Sequence, residues 1–297
     1  MSLKLPIEKS SGEVDLSRIR MLIYGQPKIG KTTLCTGFPD SLFLATEPGY
    51  HAHKVYAMDI HNWQEFIDAA ELILAGKHHF KTIVIDTVDI LANYCVAHVC
   101  KKLNIDHISD AKWSRGYDSL KKELEGQLNP LFQSKYGVLL TSHTKTQELL
   151  KKDSSISKTV ITLNNQARSI ILPKVDTIGL IKMKTFKLAD GTHVEKRILS
   201  FKASEFEDSG DRLKRFPEEV ILNSDPTKSY AEFTKYFRKE AGQKTVQQQR
   251  SEATAAREVA AAVAEEEDEQ QATAKQKVAP IRKTMPIKGG SKTMKKT

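Results

Sequence analysis

Gly25 and Gly30 are separated by four residues and followed at once by Lys31, Thr32 and Thr33, within the stretch LIYGQPKIGKTTL that covers residues 22–34. Two glycines at this spacing let the main chain curl until successive N–H groups point inward. Gly25, Gln26, Pro27, Lys28, Ile29, Gly30, Lys31, Thr32 and Thr33 then form a cradle for phosphate oxygens. Lys31 adds a point charge for β- and γ-phosphates, and the Thr32 hydroxyl is a hard oxygen ligand suited to Mg²⁺. The pattern, G-x-x-x-x-G-K-T after an apolar run, is the P-loop, and its chemistry is the binding of a nucleoside triphosphate, read here as ATP, together with Mg²⁺.

A triphosphate held with a metal needs a second acid at the end of a strand. Ile83-Val84-Ile85-Asp86 supplies it as a Walker B strand whose carboxylate holds the metal's water shell. Hydrolysis also needs a group that takes a proton from water. The position after Asp86 is Thr87, so the assignment falls on Glu47, at the end of the strand that follows the P-loop helix; Asp89 is a weaker rival. Strand C-termini in such a sheet line one crevice, which lets Glu47 face the γ-phosphate although it lies far from Asp86 in sequence. A further strand ends Leu140-Thr141-Ser142-His143, and Ser142 or His143 would touch the γ-phosphate by hydrogen bonding.

Positioning these groups demands strands that alternate with helices. Strand-like runs fall at 20–25, Ser41 to Thr46, Thr82 to Asp86 and Gly137 to Ser142, each short, apolar and rich in branched side chains. Between them, Gly37-Phe38-Pro39 keeps the P-loop helix short, and Asn62 with Glu65 opens a helix whose face is Trp63, Phe66, Ile67, Ala70 and Leu74. Helical text also covers about 87–103 and 114–128. The expected fold class is therefore α/β, with a mostly parallel central sheet flanked by helices. Residues 145–165, KTQELLKKDSSISKTVITLNN, carry lysines and hydroxyls with little apolar periodicity. Val175 to Phe186 and His193 to Phe201 alternate as strands of a C-terminal β-hairpin turned at Ala189-Asp190-Gly191. A last helix, Tyr230 to Lys239, would bury Phe233, Tyr236 and Phe237. Residues 1–18 read as an N-terminal arm, 19–241 as the ATPase domain, and 242–297 as a disordered low-complexity tail with a transient helix over about 249–268.

Composition narrows the class further. Hydrophobic residues make 39% of the 297, and the formal net charge is +9 with a pI near 9.2. The charge is mixed, and roughly half the excess lies after residue 240, so basicity alone argues only modestly for nucleic acid. Cys35, Cys95 and Cys100 show neither metal-type clustering nor even pairing; Cys95 and Cys100, five apart on an expected helix, read as small core residues, and a reducing, cytoplasmic setting fits. No apolar stretch approaches the ~20 residues of a membrane span, no signal peptide opens the sequence, and no internal repeat is found.

The segments GQPKIGKTT, LFLATEPG, TIVIDTVD and GVLLTSHTK, in this order, resemble the RecA-like ATPase core, and within it phage-encoded ATP-binding proteins of the single-strand annealing recombinase type. The resemblance spans about 19–225, including SGDRLKRFPEEV near its end. It implies that Glu47 activates the attacking water, that His143 senses the γ-phosphate, and that the segment after it, about Lys145 to Gln166, grips single-stranded DNA. Lys145, Lys151, Lys152 and Lys158 would then meet phosphates, with strongly salt-dependent binding. Ile156, Val160, Ile161 and Leu163 would wedge between bases, since that segment has no aromatic residue. The resemblance also implies a homo-oligomer, ring or filament, whose neighbouring subunit completes the site with a Lys or Arg; Lys202, Arg212 and Arg215 are the candidates. The large N-terminal domain of full recombinases is missing, which favours annealing or assisted binding over strand invasion.

The reading is thus an ATP-binding and ATP-hydrolysing single-stranded DNA-binding protein of phage recombination, annealing or replication, in the host cytoplasm if phage-encoded. The alternative is a nucleotide-driven switch or assembly factor acting on protein partners without nucleic acid. In either case the acidic block Glu265-Glu266-Glu267-Asp268-Glu269 of the tail suits a basic replication or recombination protein. A small-molecule kinase, the third reading, would want an arginine-rich lid that the sequence does not display.

Overall fold

The computed structural model describes residues 5, 7–9, 12–151, 154–188 and 191–238, with the backbone alone at 149–151 and 154–155. The chain divides into two units, 1–247 and 248–297, and the second lies wholly outside the described residues. The tail, its transient helix and its acidic block therefore also lie outside them.

In chain order the elements are β1 (Arg20–Gly25), α1 (Lys31–Thr36), β2 (Ser41–Ala45), β3 (Tyr56–Asp59), α2 (Trp63–Leu74), β4 (Thr82–Asp86), α3 (Val88–Leu103), α4 (Arg115–Phe132) and β5 (Gly137–Ser142). They continue with β6 (Thr144–Lys151), β7 (Ser154–Ile161), α5 (Asn165–Ile171), β8 (Thr177–Lys187), β9 (His193–Ser200), β10 (Gly210–Asp211), β11 (Glu219–Ile221) and α6 (Ser229–Thr234). The main sheet runs β11-β9-β8-β1-β5-β4-β2-β3, with β10 beside β8. Strand β1 pairs in parallel with β5 on one side and β8 on the other, and β5 separates it from β4. Strands β9 and β11 extend the sheet in antiparallel pairing. This is an α/β fold, its mostly parallel sheet flanked by helices.

The continuous apolar runs have a direct cause. Strands β1, β2, β4 and β5 are buried on both faces, so their middles are apolar at successive rather than alternate positions, and polar residues fall at their ends. Leu22, Tyr24, Leu44, Ile83, Ile85 and Leu140 pack toward α2, α3 and α4. Met21, Ile23, Phe43, Val84 and Leu139 face the other way, onto Leu34 and Cys35 of α1 and Phe233 of α6. Asn62 caps α2 by accepting from the Glu65 N–H, as its spacing predicts. All three cysteines are buried and free. Among the described residues no helix is long and apolar enough to cross a membrane.

The structure departs from the sequence reading in several places. Within the segment 145–165, for which no element is expected, β6 and β7 form a separate two-stranded antiparallel ribbon. Its side chains lack an apolar rhythm because most of the ribbon is not packed on the sheet. Val160, Ile161 and Leu163, expected to wedge between bases, are buried in the core; Ile156 alone of the four keeps partial exposure. Edge strand β3 and helix α5 were not anticipated. Helix α4 runs through Pro130 to Phe132, because Leu128, Leu131 and Phe132 are all buried and that packing outweighs the proline's lost hydrogen bond. Helix α6 stops at Thr234. The hairpin between β8 and β9 closes through Leu188 and Thr192, with Gly191 at φ 85°; Ala189 and Asp190 lie outside the described residues. The arm is not wholly loose, since Leu16–Arg18 form a 3-10 helix capped by Asp15.

The end of α1 lies against α6 with no room to spare. A Cβ on Gly37 would fall 2.2 Å from the Tyr230 Cβ. Gly37→Ala is expected to destabilise the chain by about 1–3 kcal/mol through forced separation of the two helices, measured as a lowered denaturant midpoint at unchanged slope.

Candidate nucleotide site

Because β1, β2, β4 and β5 run parallel, Gly25, Ala45, Asp86 and Ser142 all arrive at the same end of the sheet. Past Gly25 the chain turns through Lys28 at φ 64° and Gly30 at φ 100° before α1 begins at Lys31. A positive φ of this size suits glycine and no other residue well, which explains the second glycine of the pattern. The Lys31 side chain is 6% exposed, and its ammonium donates to the Gly25 and Gln26 carbonyls, both at 3.0 Å. Burial pushes the Lys31 pKa down, against the pull of the Asp86, Glu47 and Asp89 carboxylates. The lysine is thus folded over the cradle that it would share with phosphate.

Thr32 Oγ1 donates to Asp86 Oδ2 at 2.7 Å, and Thr141 Oγ1 donates to Asp86 Oδ1. Asp86 is 4% exposed. Gly49 closes this corner: a Cβ there would lie 3.4 Å from Thr32 Oγ1 and 3.9 Å from Asp86 Oδ2, so glycine keeps space open beside both oxygens. A hydroxyl and a carboxylate facing that space are the hard oxygen donors magnesium takes, with phosphates and waters to complete its shell. The residues fit Mg²⁺.

Glu47 and His143 meet across the cleft. The His143 Nε2 lies 3.1 Å from Glu47 Oε1 and 3.4 Å from Oε2, while its Nδ1 is 3.5 Å from the Lys31 ammonium. Since the lysine can only donate, this pattern assigns the ring hydrogen to Nε2, donated to Glu47. The Thr87 hydroxyl also donates to Glu47 Oε1, at 3.3 Å. The strand end that carries Glu47 is clamped to β4: Thr46 N–H donates to the Asp86 carbonyl, and the Thr46 hydroxyl exchanges hydrogen bonds with the Thr87 N–H and carbonyl. At 30% and 27% exposure, the Glu47 and His143 side chains remain open to the cleft of about 280 Å³ that also holds Lys31, Thr32, Asp86 and Gly49.

Asp89, the rival for water activation, is half-buried and accepts hydrogen bonds from the Ser142 hydroxyl (2.6 Å), the His143 N–H (2.7 Å) and the Thr162 hydroxyl (3.3 Å). Burial pushes its carboxyl above the usual range, and these donors oppose the shift. Asp89 positions the end of β5 and ties it to the foot of β7.

Four further residues of the site escaped the sequence reading: Thr46, Gly49, Thr141 and His53, whose Nε2 lies 3.2 Å from Thr33 Oγ1. Glu47-Pro48-Gly49 held a signal, since a proline and glycine directly after the acid mark a tight turn.

The predicted DNA residues are spread along the ribbon. Lys145 is exposed on β6. Lys158 pairs with Asp208 at 2.8 Å, an acid it shares with Arg168. Lys152 and the Lys151 side chain lie outside the described residues. The candidates for a neighbour's site are engaged within their own chain. Arg215 is 6% exposed and donates to the Gly12 carbonyl, Arg212 donates to the Pro173 and Val175 carbonyls, and Lys202 lies 3.6 Å from Glu218. For Arg215 burial overturns the assignment.

Fold and site together define a P-loop NTPase, with the glycine-rich loop after β1 and Asp86 two strands away at the end of β4. Residues 17–213 match the model of the AAA domain family, and the chain belongs to that family. A curated relative, the SPbeta prophage-derived uncharacterized protein YorG of Bacillus subtilis (strain 168), is 28% identical over 127 residues, 41% of this chain; the chain spans only 39% of that relative's length. A solved structure, the flagellar accessory protein FlaH from Methanocaldococcus jannaschii, aligns over 73% of this chain and 96% of its own at 11% identity and a TM-score of 0.35.

Proposed function

We propose that this protein hydrolyses ATP and binds single-stranded DNA, in phage recombination, annealing or replication. The observation that carries the reading is a path of hydrogen bonds. Glu47, at the cleft, touches His143; the His143 N–H is held by Asp89; and Asp89 also holds Thr162, directly after the lysine-bearing ribbon. A change at the triphosphate's end thereby has a short covalent and hydrogen-bonded route to the surface assigned to DNA. The relative's prophage origin, as its name gives it, supports the phage setting and the host cytoplasm.

Bound Mg–ATP supplies the phosphoanhydride to be cleaved and a metal that neutralises its charge. Gly25 to Thr33 would hold the phosphates, Lys31 neutralising the β- and γ-groups, while Thr32 and Asp86 would hold the magnesium. Glu47 accepts a proton from water in the cleft, and the His143 Nε2–H and Thr87 hydroxyl fix its orientation. Assembly as a ring or filament, with partners recruited by the tail, completes the reading.

The decisive measurement is steady-state hydrolysis with and without single-stranded DNA. Stimulation that disappears in Lys31→Ala supports the reading; hydrolysis indifferent to DNA favours the switch that acts on protein partners. Asp89→Asn sharpens the test, because an amide nitrogen then faces donors at Ser142 or at His143. Basal turnover is expected to persist while stimulation by DNA drops several-fold. A purely structural aspartate would lower both together.

A further inference from the structure

The parallel strands have a second end. Opposite the nucleotide site, the starts of β2, β3, β4 and β5 lie near a cleft of about 530 Å³ whose lining includes Arg18, His79, Phe80, Lys81 and Lys135. Tyr56, the first residue of β3, packs against two of the lining residues: its ring centroid is 5.3 Å from that of His79 and 5.2 Å from that of Phe80. Both neighbours meet the tyrosine at steep angles, 74° and 66°, so neither stacks on it, and the residue is 58% exposed. The row of rings continues from Phe80 through His78 to Tyr136, over which the Lys135 ammonium sits at 5.4 Å.

His78 and Tyr136 are committed to the fold, both bonding the Ile73 carbonyl. Tyr56 and His79 are not buried by any such duty, and Arg18, Lys81 and Lys135 are all exposed beside them. The acids nearby are Asp15, which also lines the cleft, and Asp40, which pairs with Lys81 at 2.9 Å. Open aromatic faces alternating with cations are what single-stranded nucleic acid requires: every base has a π-face to stack, and every phosphate seeks a cation. An acidic peptide would use the cations but has no need of the flat rings. The ribbon β6–β7, by contrast, has no aromatic residue between 144 and 161.

We propose that this cleft is a second contact site for single-stranded nucleic acid, with a base stacked on Tyr56 and phosphates met by Arg18, Lys81 and Lys135. It is distinct from the ribbon and independent of bound nucleotide.

The test uses the full chain without ATP, titrated into a fluorescein-labelled single-stranded oligodeoxynucleotide and followed by anisotropy over a salt series. Tyr56→Ala is expected to weaken binding about tenfold, with Tyr56→Phe close to the starting chain. Arg18→Ala with Lys135→Ala should flatten the salt dependence by about 0.7 per lost phosphate contact. Lys145→Ala on the ribbon should leave the effect of Tyr56→Ala unchanged. Photocrosslinking with an iodouracil-substituted strand should label the 54–60 or 77–81 segment. If Tyr56→Ala and the double cation variant bind like the starting chain and crosslinks fall on the ribbon, the cleft is excluded and the ribbon reading stands. If no variant and no starting chain bind the strand, both fail. If polyglutamate competes as well as the oligonucleotide and Tyr56→Ala is silent, the cleft serves an acidic protein and the proposal is overturned.

Discussion

Glu47→Gln is expected to bind ATP with near-normal affinity and to turn it over about 100- to 10,000-fold more slowly. The glutamine keeps the shape of the side chain and an oxygen that can accept from His143 Nε2–H and from the Thr87 hydroxyl, so the cleft stays assembled. What it loses is the capacity to take a proton from water. Phosphate contacts, by contrast, are proposed for the loop from Gly25 to Thr33, whereas the hydrogen bonds of Glu47 run to His143 and Thr87. The loss should therefore fall on kcat rather than on binding, and single-turnover kinetics with a nucleotide-binding titration will separate the two. Normal turnover in this variant would remove Glu47 from its role and reopen the question of which acid activates water.

Lys31→Ala should instead abolish binding, weakening ATP affinity by about 100-fold or more, because charge-assisted hydrogen bonds to phosphate contribute about 1.5–3 kcal/mol each and Lys31 would supply more than one. The variant should nonetheless fold. In the absence of nucleotide the lysine is a mostly buried cation bonded to two carbonyls. Burial depresses its pKa below 10.5, so the folded chain holds this proton less tightly than the unfolded one. Stability of the starting chain from this group therefore rises as pH climbs from the lowered value toward 10.5. The alanine variant lacks that slope, and the difference between the two melting curves across the alkaline range isolates it. A variant that bound ATP normally would contradict the cradle itself.

Much of the chemistry is legible in the residue types and their spacing. Gly25, Gly30, Lys31 and Thr32 announce a phosphate loop because backbone curvature, charge and metal ligation each demand one residue type at one spacing. Asp86 and Glu47 follow from a simple rule, that parallel strands deliver their last residues to one crevice, and the two are brought together as the rule requires. His143 joins them for the same reason. The bonding of Asp89 leaves no such trace, since its neighbours Ser142 and Thr162 come from β5 and the foot of β7, and no local pattern links residues more than 50 positions apart.

The ribbon is hidden by the same limit. A strand buried on one or both faces writes its period into the sequence, but β6 and β7 pair chiefly with each other. Among the described residues of the ribbon only the foot of β7, with Val160 and Ile161, is buried, and farther along the link to the rest includes polar contacts such as the Thr159 N–H on the Phe206 carbonyl. Edge strand β3 is short and half-exposed and leaves equally little trace.

The amino-acid order alone determined the phosphate cradle, the alternation of strands and helices, and the acids at the strand ends, because each follows from chemistry within a few residues. Only the tertiary structure decided that β5 lies between β1 and β4, that Thr141 and Gly49 lie beside Asp86, that Asp89 ties the cleft to the ribbon, and that rings and cations gather at the opposite end of the sheet. Those are matters of long-range pairing, and the order of strands in a sheet is settled by packing across the whole core rather than by any stretch of chain.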